Sequence, residues 1–431
     1  MLQYFKRLVG GNAHRSVLVK NYMYLSMYQV INFLAPILII PHIVKVLGIA
    51  KYGAVVFAYA FVTYFAIFTD YGFNLSATRD ISINRDNKDT INRIFNRVLQ
   101  SKLLLFFIAL LAFTGIVWAI PSFRKEFWLY YCSFPLVLSQ TLLPIWFFQG
   151  IEDMRFIAML NAISKLCFVA LIFILIHSPE QYVLVNLLQG AGGLVSCVIC
   201  FFLVVKKYNI TYVRIPLKEI AQEIKEGTAL FISGFAVNVY VNSNTFILGM
   251  FVDRTILGYY GIAEKVVLAV KQLLIVFSQV VYPYMCKITV ESYDKTRQFL
   301  KTVFIPFTYL VIGCCLCIFF FSDLIVLYAL KARNPELSNM LKLFSFLPVI
   351  VLFDIPAYQV LLAYNLRKAY STILVSGCVL NILLNFVLAY YFKAWGTVVS
   401  VLVTELYITV GLNMLLQFKY PQFALLKRTN K

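Results

Sequence analysis

Apolar residues in this chain come in runs of about 20, the length that crosses a bilayer core as a helix, and short clusters of charged or turn-forming residues separate the runs. Twelve can be marked, at 21–46, 52–73, 101–120, 127–149, 156–177, 182–205, 228–250, 257–285, 302–321, 339–362, 370–391 and 395–417. They predict twelve transmembrane helices. Six runs precede the polar stretch 206–227 and six follow it. Tyr52-Gly53, near the start of the second run, recurs as Tyr260-Gly261 near the start of the eighth, 208 residues later. The expected architecture is an all-α membrane protein with two six-helix lobes around a central cleft. An N-terminal lobe would cover 1–205, a cytoplasmic linker 206–227 and a C-terminal lobe 228–431. Parallel repeats of this kind suit alternating access, one lobe rocking against the other.

One run breaks the apolar pattern most. Between Gly258 and Met285 the chain carries Glu264, Lys265, Lys271, Gln272 and Gln279, and a charge in hydrocarbon costs several kcal/mol unless it is paired or faces water or protein. Residues seven apart lie close to one helix face. Glu264, Lys271 and Ser278 therefore form one stripe, and Lys265, Gln272 and Gln279 the next. With a rise of about 1.5 Å per residue, Lys271 lies roughly 20 Å from Gly258, too deep to snorkel out easily. The polar arc is expected to form the inner wall of the C-terminal lobe.

Composition agrees with the pattern. The 431 residues are 61% hydrophobic and 13% charged, against about 25% charged in ordinary soluble domains. A net charge of +19 invites a nucleic-acid reading, but its distribution excludes one. With the N-terminus in the cytoplasm, 26 of the 38 Lys and Arg residues fall on the cytoplasmic side and 8 on the other, which is the bias that orients membrane proteins. Both termini are thus expected in the cytoplasm. The first 20 residues lack the apolar core and small-residue site of a cleaved signal peptide. The nine cysteines lie in or beside apolar runs without metal-site spacing and read as small buried hydrophobes, with no metal or cofactor expected. The segment 76–102, rich in alternating charge, reads either as an amphipathic helix pair along the inner membrane surface or as a charged loop that sets topology and touches anionic headgroups.

Other polar residues lie within the runs. Lys165 shares a face with Asn161; Asn238, Asn242 and Thr245 share another; Asn381 and Asn385 are four apart. These asparagines either hydrogen-bond between helices or line a polar lumen. Asp354 and Glu405 fall near the middle of the tenth and twelfth runs. Such carboxylates either pair with lysine, Lys265 or Lys271 being the expected partners, or carry protons. Asp70, at the end of the second run, is expected to bridge to Arg79. Prolines interrupt many runs, among them Pro135, Pro144, Pro283, Pro348 and Pro356, and are compatible with helices that bend. No external loop is long enough to suggest an enzyme domain.

The stretches VLGIAKYGAVVFAYAFVTYFAIFTDYGFNLSATRDISINRD, QGIEDMRFIAMLNAISKL and GYYGIAEKVVLAVKQL resemble the O-antigen and polysaccharide repeat-unit flippases, in the superfamily that also holds multidrug exporters and the peptidoglycan-precursor flippase. The resemblance implies a flippase, not an enzyme, that moves an undecaprenyl-diphosphate-linked oligosaccharide across the bacterial inner membrane. Its implied partners are that glycan, membrane lipids, and a polysaccharide polymerase with a chain-length regulator. Lys165, Lys265 and Lys271, with Asn242 and Gln272, are then the expected substrate contacts, aided by Lys20 and Arg79 at the inner mouth. Glu264, Asp354, Glu405 and Asp70 are the candidates for ion coupling. The alternatives are an ion-coupled multidrug exporter on the same architecture and a membrane polysaccharide polymerase.

Overall fold

The computed structural model describes residues 35–364 and 366–420, with residues 24, 27, 31 and 32 ahead of them. Lys20, the N-terminal stretch and the tail beyond 420 lie outside the described residues, as do the side chains of Tyr240, Pro283 and Cys286. Among the described residues the regular structure is helical, without strands. The helices used below are α1 (Ala35–Leu47), α2 (Ile49–Asp70), α3 (Phe73–Ile83), α4 (Lys88–Ala119), α5 (Ile145–Gly150), α6 (Met154–Leu175), α7 (Leu184–Tyr208), α8 (Leu217–Phe251), α9 (Arg254–Glu291), α10 (Asp354–Ala363) and α11 (Arg367–Lys419).

Eight helical stretches among the described residues are long and apolar enough to cross a membrane. Of the other runs, 21–46 lies largely outside the described residues and ends in α1, 228–250 and 257–285 fall within α8 and α9, which are not among the eight, and the last two runs share the stretch Lys368–Lys419. That stretch is broken at Lys393, whose backbone is left-handed (φ 53°), in the gap between the two runs. Prolines cut other runs into pieces, because a proline has no N–H for the helix ladder. The run 127–149 becomes Phe127–Ser133, Pro135–Leu142 and Ile145–Gly150, and the run 339–362 ends as Leu347–Leu352 and Asp354–Ala363.

The segment expected to form a surface helix pair behaves differently. α3 is a separate short helix, but α4 starts at an Asn87 cap, whose side chain accepts from the Thr90 N–H, and continues for 32 residues into the next apolar run. Nothing between Lys88 and Ala119 breaks a helix, so the polar start is simply its first turns.

The chain forms two compact units. One is built mainly from Ala58–Asn238, the other from Val239 onward together with Gly48–Phe57. The first is held by an aromatic core in which Trp146, Phe147 and Phe148 pack against Phe73, Ile81 and Phe95. In the second, the start of α2 crosses the start of α9 with almost no space between backbones. A Cβ on Gly53 would lie 1.7 Å from the Arg254 carbonyl oxygen, and one on Gly258 would lie 2.6 Å from the Ile49 carbonyl oxygen. Glycine is required on both sides of that crossing. This close approach is why the start of α2, Ile49–Phe57, belongs to the second unit.

Candidate functional site

The Glu264, Lys271 and Ser278 stripe of α9 meets polar partners from three helices of its own unit. Thr245 on α8 donates to both Glu264 carboxylate oxygens at 3.1 Å. Lys271 Nζ donates to Glu405 Oε1 on α11 at 2.7 Å. Ser278 is hydrogen-bonded with the Tyr358 hydroxyl on α10, and Gln359 Nε2 donates to its carbonyl and hydroxyl oxygens at 3.1 and 3.2 Å. A stripe that polar would be costly against lipid, and each level of it is matched by a complementary group. The neighbouring stripe is more open: Lys265 and Gln272 are half-buried and Gln279 is exposed.

Around the lysine lies a cavity of about 270 Å³ whose polar lining is Lys271, Ser278, Asp354, Tyr358, Tyr370 and Glu405. Leu274, Ile355, Ile408 and Leu412 are among the apolar walls. Glu405 is committed to Lys271, with side-chain exposures of 7% and 25%. Asp354 is buried beside them, and its Oδ1 has no hydrogen-bond partner. One lysine and two carboxylates thus share one small polar chamber in an apolar unit. The arrangement neutralises Lys271 locally and leaves one carboxylate oxygen able to take a hydrogen-bond donor.

The asparagines of this unit mostly tie helices together. Asn385 donates to Asn244 at 3.1 Å and Asn381 to Thr404 at 3.3 Å. Asn242 is half-buried on α8.

In the first unit Lys165 is half-buried on α6, and Asn161, one turn before it, donates to Asn32 at 3.5 Å. Asp70 does not pair with Arg79. Arg79 is bound to its neighbour Asp80 at 2.9 Å, with a side chain 70% exposed, whereas Asp70 accepts from Lys102 of α4 at 3.2 Å. The Lys102 side chain is only 2% exposed. Tertiary packing overrides the local choice because a buried ammonium needs a counter-charge far more than a solvated guanidinium does. Lys102 was not among the expected partners, since it closes the charged segment expected at the membrane surface; its position directly before the LLLFF run is the signal for burial.

Two of the quoted motifs meet in this unit. In TDYGFNLSATR, Tyr71 and Gly72 both have left-handed backbones (φ 48° and 78°) that turn α2 into α3. The Tyr71 ring stacks on Phe231 at 4.3 Å, and its hydroxyl is 3.2 Å from Thr228 Oγ1. Gly150 of QGIEDM lies against α3, where a Cβ would come within 2.7 Å of Ile81. Arg85 locks the joint, donating to the Gly150 carbonyl at 2.7 Å and to Glu152 at 2.9 Å. Asp153 gathers Arg155, Lys207 and the Tyr208 hydroxyl within 2.7 to 3.1 Å.

Comparison with known proteins gives this geometry its family. Residues 18–289 match the family described as polysaccharide biosynthesis protein. A Shigella dysenteriae protein named "Putative O-antigen transporter" is 30% identical over 91% of this chain and 98% of its own length. An Escherichia coli K12 protein of the same name is 28% identical over 92% of this chain and 96% of its own. Among solved structures, the lipid II flippase MurJ in an inward closed conformation aligns with a TM-score of 0.70 at 12% identity, covering 93% of this chain and 87% of that one. An inward-facing multidrug resistance MATE family transporter of the MOP superfamily gives 0.68 at 11% identity, covering 91% and 94%. The helical fold is thus shared with these transporters, and by its sequence the chain is a member of the polysaccharide biosynthesis protein family.

Proposed function

We propose that the protein is a flippase for lipid-linked oligosaccharide, carrying an undecaprenyl-diphosphate-linked O-antigen-type unit from the cytoplasmic to the periplasmic leaflet of the bacterial inner membrane. The observation that carries this reading is the end-to-end likeness to proteins named as O-antigen transporters, 30% identical over 91% of the chain. No covalent chemistry is required. In this reading the two compact units are the lobes that rock, both termini are cytoplasmic, and a polymerase with its chain-length regulator takes the delivered product.

Lys165, Lys265 and the open stripe with Gln272 are assigned to the anionic headgroup, and Asn242 to sugar hydroxyls. Lys271 is given a different weight, since its charge is balanced by Glu405 at 2.7 Å. Together with Asp354 it forms the chamber assigned to ion coupling, with Glu264 and Asp70 as further carboxylates of that kind. A multidrug exporter shares the fold alone, at 11% identity, and that likeness says nothing of substrate.

The test is made in cells that depend on this gene for surface polysaccharide. Replacing Lys165 and Lys265 by Ala should abolish the surface glycan while lipid-linked units accumulate inside, at unchanged protein level. Normal surface glycan in that variant sinks the substrate assignment. Drug resistance on overexpression, lost in Asp354→Asn, would favour an exporter.

A further inference from the structure

The polar stretch joining the two halves of the sequence is not a loose tether. α7 ends at Asn209 in a left-handed C-cap (φ 55°), residues 210–216 run without helix, and α8 begins at Leu217. Three side-chain amides of α4, spaced four residues apart, hold that extended segment. The Thr211 N–H donates to Asn92 Oδ1 at 2.9 Å, the Val213 N–H to Asn96 Oδ1 at 3.0 Å and the Ile215 N–H to Gln100 Oε1 at 3.1 Å. In return Asn96 Nδ2 donates to the Thr211 carbonyl at 2.8 Å and Gln100 Nε2 to the Val213 carbonyl at 2.7 Å. Asn92 Nδ2 reaches the Thr211 hydroxyl at 3.1 Å.

The register follows from geometry. Four helical residues rise about 6 Å, and two extended residues advance about 6.6 Å, so amides one turn apart meet every second peptide of a strand. A carboxamide presents an acceptor oxygen beside a donor N–H, the same pairing a neighbouring strand would offer, with a second N–H to spare. α4 thus presents a β-edge made of side chains. The α8 start is bound in the same rhythm, Arg93 to Glu219 at 2.8 Å and Arg97 to Glu223 at 2.7 Å. Ile210 and Ile215 are buried beneath.

We propose that residues 209–223 form a strap that stays clipped to α4 as an integral part of the first unit throughout the working cycle, so that any bending between the units is taken up in α8 beyond Glu223. The division between the units inside α8, at Asn238 and Val239, accords with this.

Two measurements on the full-length protein test it. By hydrogen exchange in detergent, the peptide covering 210–216 should be protected, and Asn96→Leu with Gln100→Leu should speed its exchange about tenfold or more. Exchange at the rate of an unstructured chain in the unaltered protein overturns the proposal. Asn96→Asp, which keeps the acceptor for Val213 but loses the donor to Thr211, should give an intermediate rate and guards against misfolding of the double variant. In cells, an Asn92→Cys, Thr211→Cys disulfide, verified by mass spectrometry of the linked peptide, should leave surface polysaccharide within about twofold of normal, as expected if the strap never unclips. Loss of surface glycan on oxidation, regained on reduction, overturns it. The cellular arm rests on the flippase reading; the exchange arm does not.

Discussion

Lys271 on α9 and Glu405 on α11 form an ion pair of 2.7 Å inside the second unit, with the glutamate 7% exposed. Removing one partner leaves the other charge in a poorly hydrated chamber. Breaking such a pair costs about 3–5 kcal/mol where burial is complete, and less where the lysine is partly open, as here. Glu405→Gln should therefore reduce surface polysaccharide at least about tenfold at matched protein level. Exchanging the charges, Lys271→Glu with Glu405→Lys, should recover part of it. An unimpaired Glu405→Gln variant would show that the pair matters to neither folding nor transport.

Asp70 and Lys102 are expected to matter to stability first. Lys102 is nearly inaccessible and pairs with Asp70 at 3.2 Å, so Asp70→Asn strands a buried ammonium. The loss should be on the order of 3 kcal/mol, and a second change, Lys102→Met, should return most of it because the uncompensated charge is gone. Thermal melting of the purified protein checks both. Equal melting of Asp70→Asn and the unaltered protein contradicts the pairing.

The glycine crossing makes a sharper contrast. Gly53→Ala puts a methyl 1.7 Å from a carbonyl oxygen, which only a movement of α2 from α9 can relieve, at a cost on the order of 3 kcal/mol. Gly115 has nothing within 4 Å of an added Cβ, so Gly115→Ala should be neutral or stabilising by up to about 1 kcal/mol through helix propensity. Comparing folded yield and melting of the two variants tests the crossing.

Asp153 predicts a pH dependence. Burial pushes its carboxyl up, but hydrogen bonds from Arg155, Lys207 and Tyr208 outweigh that and hold it below the usual 3.8. A group depressed in the folded state stabilises above its unfolded value and loses that contribution as pH falls through the folded one. Melting should therefore drop between about pH 4 and lower values, and Asp153→Asn should flatten that part of the profile. An identical acid limb in the variant rules Asp153 out as its source.

Much of the fold class was legible in the chain itself. Runs of about 20 apolar residues leave the backbone no choice but helix in lipid, and the proline breaks, the Lys393 gap and the polar stripe of α9 are local patterns. The stripe of Glu264, Lys271 and Ser278 could be drawn from spacing alone, because residues seven apart share a helix face whatever surrounds them.

Which groups meet across helices was decided only by the tertiary structure. Glu405 answers Lys271 across 134 positions, Lys102 rather than Arg79 takes Asp70, and three amides of α4 bind a strap more than a hundred residues away. Periodicity states which side of a helix is polar; it carries no information about the rotation and depth of the neighbour that faces it. Those are set by how closely helices can approach, as at Gly53 and Gly258, and by the requirement that each buried charge or amide find a complement once packing has fixed its place.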